Sequence, residues 1–166
     1  GFSNLFTEIN RNGGVNMLWT EKYRPSKLSD IVGQEHFVLD AEQWVLEKNM
    51  PNVLAYGVAG TGKTGAGIAL AKDMLGEAFK QVAQSGTIGD APFRIMLLDE
   101  MDGMTNDAQN ALKRIMERYA SNIRFIITCN DRSRIIFPLQ SRCANYRFNR
   151  LILIGLEIQN FYQIKS

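Results

Sequence analysis

The sequence predicts an α/β domain in which a mainly parallel sheet is flanked by helices. Short apolar runs typical of buried strands occur at 53–56, 94–98 and 123–128. Segments with helical periodicity separate these runs, and strands that alternate with helices favour parallel pairing. The 166 residues are 45% hydrophobic and 22% charged, which supplies the core of one ordinary globular domain.

The two ends of the chain differ from the segment between them. Residues 1–16 show no sustained period and contain Asn12-Gly13-Gly14, so we interpret them as a loose N-terminal extension. Residues 17–150 form the predicted domain. Residues 151–166 are an atypical, apolar C-terminal tail whose side chains we expect to pack somewhere.

The first predicted helix runs from Gln34 to Lys48 and ends before Pro51. A strand at 53–56 then leads into a glycine-rich turn, and a second helix is predicted from about Lys63 to Leu75. The helix before the strand at 123–128 has the clearest pattern, and Thr105 or Asn106 can cap its start. Its predicted core stripe is Ala108, Ala111, Leu112, Ile115, Met116 and Tyr119, and its predicted polar face is Gln109, Lys113, Arg114, Glu117 and Arg118.

Charge and rare residues exclude several classes of function. The net charge of +2 is too small for the whole surface to attract nucleic acid or membrane, so any DNA binding needs a local patch. His36 is the single histidine, which excludes a histidine-rich metal site. Cys129 and Cys143 lack metal-binding spacing and are expected to be reduced thiols. The apolar run at 151–156 is too short to span a bilayer, so we expect a soluble protein without membrane contact.

Residues 57–64 carry the strongest motif, Gly-Val-Ala-Gly-Thr-Gly-Lys-Thr, which fits G-x-x-x-x-G-K-[ST]. Glycines let successive backbone N–H groups surround a phosphate, and the following helix N-terminus adds partial positive charge. Lys63 would reach the β and γ phosphates, and the Thr64 hydroxyl would bind Mg²⁺. A plain glycine turn before a helix is the alternative, but strand, loop and helix fall where the motif requires them.

Polar residues follow the next two strands. Asp99 and Glu100 end an apolar strand, where one carboxylate could hold Mg²⁺ and the other could face an attacking water. Asn130 could hold that water through hydrogen bonds, although an Asn at a strand end is more often a turn residue. Arg142 is either a surface charge or an arginine finger for a neighbouring subunit's phosphate. Spacing does not decide between these two roles.

Together these motifs resemble one family, the AAA+ clamp-loader ATPases of the replication factor C small-subunit type. The similarity extends in family order over most of residues 17–148. Its pieces are Trp19 to Pro25, Asp30 to Gln34, the glycine-rich loop, Leu98 to Asp102, Asp107 to Arg114, Ser121 to Phe125, and Ser141-Arg142-Cys143.

The resemblance implies a P-loop NTPase that uses ATP and Mg²⁺ to open a sliding clamp and load it on primer-template DNA. It implies an adenine pocket bordered by Tyr23, Arg24, Pro25, Ile31 and Val32, and a phosphate site formed by Gly57, Ala59, Gly60, Thr61, Gly62, Lys63 and Thr64. It also implies that Asp99 and Glu100 are the metal and water-activating carboxylates, Asn130 the γ-phosphate sensor and Arg142 a finger offered in trans.

Partners and location follow from the same resemblance. Other loader subunits, the clamp and DNA are the expected partners, and hydrolysis by an isolated chain should be poor. Such loaders present charge to the DNA backbone or to other subunits, which Lys113, Arg114 and Arg118 could do, although a solvated basic face is equally plausible. The expected location is cytoplasmic and near the nucleoid in a prokaryote or virus, and nuclear in a eukaryote.

The chain also departs from the family pattern. Leu75–Lys80 runs almost directly into Gln81–Asp90, where the family has another strand and helix. Either the chain is shortened here or an unobserved stretch is left out of the sequence. Loss of a strand next to the P-loop strand at 53–56 would leave an open sheet edge there. The tail does not resemble the family's lid, so the lid and collar domains are expected to be absent. Two alternatives therefore stay open: another DNA-processing AAA+ ATPase, such as a Holliday-junction helicase or an initiator loader, and a truncated scaffold subunit that does not hydrolyse ATP.

Overall fold

The fold is built on a six-stranded sheet with the strand order β2-β1-β4-β5-β3-β6. The computed structural model describes residues 6–9, 15–16, 27–31, 33–85 and 93–150. Strands β4, β5, β3 and β6 are parallel, and β1 is antiparallel to both β4 and β2. The strands are β1 (Phe6–Ile9), β2 (Val15–Asn16), β3 (Val53–Tyr56), β4 (Arg94–Leu98), β5 (Ile123–Cys129) and β6 (Ala144–Arg147).

Helices cover both faces of the sheet. They are α1 (Glu35–Glu47), α2 (Lys63–Ser85), α3 (Asn106–Arg118) and α4 (Phe137–Ser141). Successive side chains of a strand point to opposite faces, so Val53 and Ala55 pack with α1 and α2, whereas Leu54 packs with α3 and α4. The mainly parallel sheet flanked by helices confirms the predicted fold class.

Two of the predicted strands, at 53–56 and 94–98, have the observed boundaries, and the third extends one residue further, to Cys129. Thr105 caps α3, because its hydroxyl accepts a hydrogen bond of 3.2 Å from the Ala108 N–H. Within the described part of the chain, no helix is long and apolar enough to cross a membrane.

The second helix is longer than predicted. It continues from Lys63 to Ser85 without a break, so Gly76 does not end it. A glycine inside a helix costs about 1 kcal/mol relative to Ala, which a helix of this length tolerates. At Gly67, a Cβ atom would lie 2.9 Å from Ile126 Cγ2, so the glycine permits close packing of α2 on the sheet.

The interpretation of residues 1–16 as a loose extension is wrong in part, because they contribute β1 and β2 to the sheet. Four residues are too few to show a clear alternation of apolar and polar side chains.

The expectation of an open sheet edge next to the P-loop strand is also wrong. The P-loop strand β3 lies inside the sheet between β5 and β6, and the far side of β4 is covered by β1. The boundaries at residues 16 and 150 remain predictions, and the tail lies outside the described residues.

The predicted faces of α3 are partly wrong. Gln109, assigned to the polar face, is fully buried, while Ile115 and Tyr119 of the predicted stripe are 44% and 38% exposed. The Gln109 amide nitrogen donates to the carbonyl oxygens of Met104 and Arg134, and its amide oxygen accepts from the Ile136 N–H at 2.8 Å. A polar side chain can be buried when its hydrogen bonds are satisfied, so this side of α3 faces the loop that follows β5.

Candidate nucleotide-binding site

The predicted site residues meet at the carboxyl ends of three neighbouring strands. The register pairs Tyr56 of β3 with Cys129 of β5, and Leu98 of β4 with Ile127 of β5. One end of the sheet, where the parallel strands have their carboxyl ends, therefore carries the loop at 57–62, the carboxylates after β4 and the Asn130 loop after β5. Ligands of open α/β sheets bind at this end of the strands.

Glycine is required at several positions of the loop at 57–62. Gly60 and Gly62 have φ values of 79° and 84°, in the left-handed region that side chains rarely adopt. Gly57 has a φ of 147°, and a Cβ atom there would lie 2.2 Å from the carbonyl oxygen of Phe148. The loop can therefore follow its path against the end of β6 only with glycine at its first residue. Ala59 and Thr61 lie within the same loop, exposed and half-buried respectively.

Lys63 places its ammonium group inside the loop. Its Nζ donates to the carbonyl oxygens of Gly57, at 2.7 Å, and Val58, at 2.9 Å, and the residue is only 7% exposed. Burial lowers the pKa of this ammonium, and Asp99 is among the nearby charges that oppose the shift. The first turn of α2 begins at Lys63, so its free N–H groups and this cation face the same space.

Thr64 and Asp99 are in direct contact. The Thr64 hydroxyl donates to Asp99 Oδ1 at 2.7 Å, and the Thr128 hydroxyl donates to the same oxygen. No group of three or more His, Cys, Asp or Glu side chains in the described ranges could hold a metal ion. One carboxylate and one hydroxyl still fit Mg²⁺, which takes few protein ligands and keeps water and phosphate oxygens as the others.

Glu100 has a different environment from its neighbour Asp99. It is exposed and has a φ of 56°, and its N–H donates to the Thr128 hydroxyl at 3.1 Å. A left-handed conformation at a residue other than glycine is uncommon and clusters at functional sites. The Thr128 hydroxyl therefore holds both acidic residues. It contacts the side chain of Asp99 and the backbone N–H of Glu100.

Asp102 supports the loop that contains Asn130. One oxygen of its carboxylate accepts hydrogen bonds of 3.3 Å from the N–H groups of Asn130 and Asp131. The Asn130 side chain is exposed at the end of β5. These hydrogen bonds hold the loop after β5 against the loop after β4, close in the chain to Asp99 and Glu100.

The predicted adenine-binding residues are only partly described. Tyr23, Arg24, Pro25 and Val32 lie outside the described residues. Ile31 is half-buried and packs against the core on the α1 and α2 side. Close to it in the chain, the Gln34 side chain donates to the Asn149 carbonyl oxygen at 2.7 Å and accepts from the Asn149 N–H at 3.1 Å. This pair of bonds joins the start of α1 to the chain that leaves β6.

Arg142 lies at the opposite end of the sheet from the loop at 57–62. It precedes β6, whose first residue, Ala144, pairs with Val53 at the start of β3. At about 3.3 Å per residue, the guanidinium group is therefore separated from its own phosphate loop by roughly 15 Å or more. Arg142 forms an ion pair with Glu117 and donates to the Pro138 carbonyl oxygen at 2.8 Å.

The three basic candidates on α3 are not equivalent. Arg114 and Arg118 are exposed, whereas Lys113 is half-buried. The guanidinium carbon of Arg118 lies 5.5 Å from the centroid of the Tyr119 ring. Two of the three are thus open to a partner on the outer side of α3.

Sequence reasoning missed Thr128, Asp102 and Gln34 as members of the site. Thr128 lies in an apolar strand just before Asn130, and a hydroxyl at the buried end of such a strand was the available signal. Asp102 follows Glu100 by two residues, but only the loop geometry brings it to Asn130. No local pattern distinguishes Gln34, because its partner, Asn149, is 115 residues away.

The sheet order, the glycine-rich loop and the carboxylates after β4 define a P-loop NTPase fold of the AAA+ type. Among solved structures, the Thermotoga maritima RuvB Holliday junction branch migration motor superposes with a TM-score of 0.61 over 84% of this chain and 52% of that chain, at 15% identity. Its P216G mutant gives a TM-score of 0.62 over 85% of this chain and 54% of that chain, at 16% identity. Identity this low shows the fold alone.

Sequence comparison gives the family. Residues 40–151 match the family model described as "DNA polymerase III, delta subunit". The replication factor C small subunits of Methanothermobacter thermautotrophicus and Aeropyrum pernix are each 46% identical, over 81% and 82% of this chain and 48% and 49% of their own lengths. The chain belongs to the clamp-loader family that this model describes. It spans about half the length of these relatives.

Replacing Thr128 by Val should weaken the site, because Val keeps the shape but loses the hydroxyl that serves Asp99 and the Glu100 N–H. We expect a loss of about 2–3 kcal/mol in the free energy of unfolding, measured by urea denaturation, because one of the lost hydrogen bonds is to a carboxylate. Thr128→Ser is the matched control: it keeps the hydroxyl and should cost about 1 kcal/mol for the lost methyl group. Equal losses in the two variants, or a smaller loss in Val, would contradict the role of the hydroxyl.

Proposed function

We propose that this chain is the ATP-binding and ATP-hydrolysing module of a DNA sliding-clamp loader, which uses Mg²⁺-ATP to open a clamp and place it on primer-template DNA. The observation that carries the proposal is the convergence of Lys63, the Thr64–Asp99 pair and Glu100 at the mouth of one glycine-rich loop. Membership in the clamp-loader family supports clamp loading as the process that this site would drive.

Each part of the site has a chemical role in this proposal. The loop N–H groups and Lys63 bind the β and γ phosphates of ATP. Thr64 and Asp99 are the side chains that would hold Mg²⁺, which would neutralise charge on those phosphates when bound. The exposed Glu100 carboxylate orients an attacking water, and Asn130 positions the γ phosphate through its amide. Attack of that water on the γ phosphorus breaks the bond to the oxygen that bridges the β and γ phosphates, so ADP remains in the loop and inorganic phosphate is released.

Hydrolysis in this proposal needs a second subunit. Arg142 lies too far from its own loop to act there, so it serves the site of a neighbour as an arginine finger. Its ion pair with Glu117 must then open or be shared when the neighbour binds. An exposed pair contributes little to stability, so this exchange costs little.

The remaining partners are the clamp and DNA, and the proposed location is the cytoplasm near the nucleoid, since the relatives named above are archaeal. Arg114 and Arg118, with Lys113 beside them, contact DNA phosphates in this proposal. Two exposed cations one turn apart on a helix can follow a phosphate backbone.

A scaffold that does not hydrolyse ATP is the second candidate. The short segment between α2 and β4 favours it. The contacts at Lys63, Thr64 and Asp99 oppose it, because a scaffold has no need for those groups in those places. A Holliday-junction motor is supported only by fold likeness at 15–17% identity.

Lys63→Ala should abolish measurable Mg²⁺-ATP binding, with at least about a hundredfold loss of affinity, because it removes the buried cation of the phosphate loop. Lys72→Ala is the matched control on the same helix and should bind ATP normally. Isothermal titration calorimetry measures both affinities. Equal ATP affinity in Lys63→Ala and the unaltered chain would rule out the proposed phosphate site.

Mixing two inactive variants should restore hydrolysis if Arg142 acts in trans. Arg142→Ala keeps an intact loop and lacks the finger, whereas Lys63→Ala keeps the finger and lacks the loop. In a 1:1 mixture, about one interface in four joins an intact loop to an intact finger, so the variants assembled with the other loader subunits should recover about a quarter of the lost ATPase rate, measured by phosphate release. A mixture no faster than the separate variants would favour a role within one subunit or the scaffold.

Arg114→Gln should weaken binding to primer-template DNA and reduce the slope of log K against log salt by about 1, because one phosphate contact is lost. Lys48→Asn removes one charge from the end of α1, away from α3, and is the control. Fluorescence anisotropy over a salt series gives both slopes. Identical slopes for the two variants would identify Arg114 as a solvated surface charge.

A further inference from the structure

Strand β4, which leads into Asp99 and Glu100, has a strand on each side. One is β5 in parallel register, with Leu98 opposite Ile127. The other is β1 from the N-terminal segment, in antiparallel register, with Phe6 opposite Leu98 and Ile9 opposite Ile95. The pairing with β1 therefore extends to the last residue of β4, directly before Asp99.

Without β1, β4 would be an apolar strand at the edge of the sheet, where it could pair with strands of other chains. Ile95, Leu97 and Leu98 are at most 2% exposed, and one row of backbone N–H and C=O groups would have no partner strand. With β1 in place, the edge of the sheet moves outward to β2, which has only two residues. Short edge strands are one way in which proteins avoid unwanted strand pairing.

We infer that residues 6–9 are a positioning element of the nucleotide site, which holds the carboxyl end of β4 so that Asp99 meets Thr64 and Thr128. The pairing itself is independent of the proposed function. Its consequence for Mg²⁺ and ATP rests on that proposed function.

The sheet order gives this inference a specific signature. Two strands, β4 and β5, separate β1 from the P-loop strand β3. Loss of β1 should therefore loosen β4 and the metal-binding carboxylate while leaving β3, the loop at 57–62 and Lys63 in place. General destabilisation of the domain would instead affect β3 and β4 together.

The test uses the full chain with Thr7→Pro and Glu8→Pro combined. Adjacent residues of a strand direct their backbone groups to opposite sides, so one of the two positions faces β4, and proline removes the N–H at both. Thr7→Val with Glu8→Gln is the matched control, because it changes the same two side chains and keeps both N–H groups. Hydrogen exchange is compared for peptides covering 94–98 and 53–56.

We expect the proline variant to lose about tenfold or more of the amide protection in 94–98 and little in 53–56, and the control to keep both. Unchanged protection at 94–98, or equal losses in both strands, overturns the inference. If the proline variant does not fold, exchange in the unaltered chain decides: protected β4-facing amides within 6–9 support the inference, and exchange there at the unprotected rate overturns it.

The second readout is ATP affinity with Mg²⁺ and with EDTA. The proline variant should lose about tenfold of the Mg²⁺-dependent gain in affinity, as displaced supporting groups of a metal site do, while its affinity in EDTA stays unchanged. Loosened 94–98 amides with a normal Mg²⁺ gain would overturn the positioning role. If the unaltered chain binds no ATP, the proposed function fails, while the exchange comparison still tests the pairing.

Discussion

The arrangement around the loop at 57–62 depends on a single carboxylate oxygen, Oδ1 of Asp99. Hydroxyls from the start of α2 and the end of β5 both donate to it, and Asp99 itself follows β4. Three elements are therefore fixed to one another at one atom. The Thr128 hydroxyl also accepts a hydrogen bond from the N–H of Glu100, whose backbone has a left-handed conformation, so one hydroxyl contacts both acidic residues.

The parts of the molecule that sequence predicted are those in which a local pattern decides the structure. The strands at 53–56 and 94–98, the start of α2 at Lys63 and the cap at Thr105 are each set by neighbouring residues. The contact between Thr64 and Asp99 follows from two motifs, because α2 begins just beyond the carboxyl end of β3, Asp99 follows the carboxyl end of β4, and these parallel strands end on the same side of the sheet.

The features that sequence did not predict depend on long-range pairing. Gln109 looks like a surface residue in its helical pattern, and it is buried because three backbone groups from elsewhere satisfy its amide. Gln34 is held in the same way by Asn149. The strand at 6–9 gains its structure from β4, which lies almost 90 residues further along the chain, and four residues carry too little pattern to indicate that pairing.

The positions of Lys63 and Arg142 determine whether both side chains of one chain can reach the same phosphate. They occupy opposite ends of the same parallel strands, and each is held where it is by carbonyl oxygens of its own loop or helix. No rotation of side chains brings them together across the length of β3. A phosphate in the loop therefore meets the guanidinium group of Arg142 only if that group belongs to another copy or another subunit. The polarity of the sheet thus separates the phosphate loop from Arg142 of the same chain.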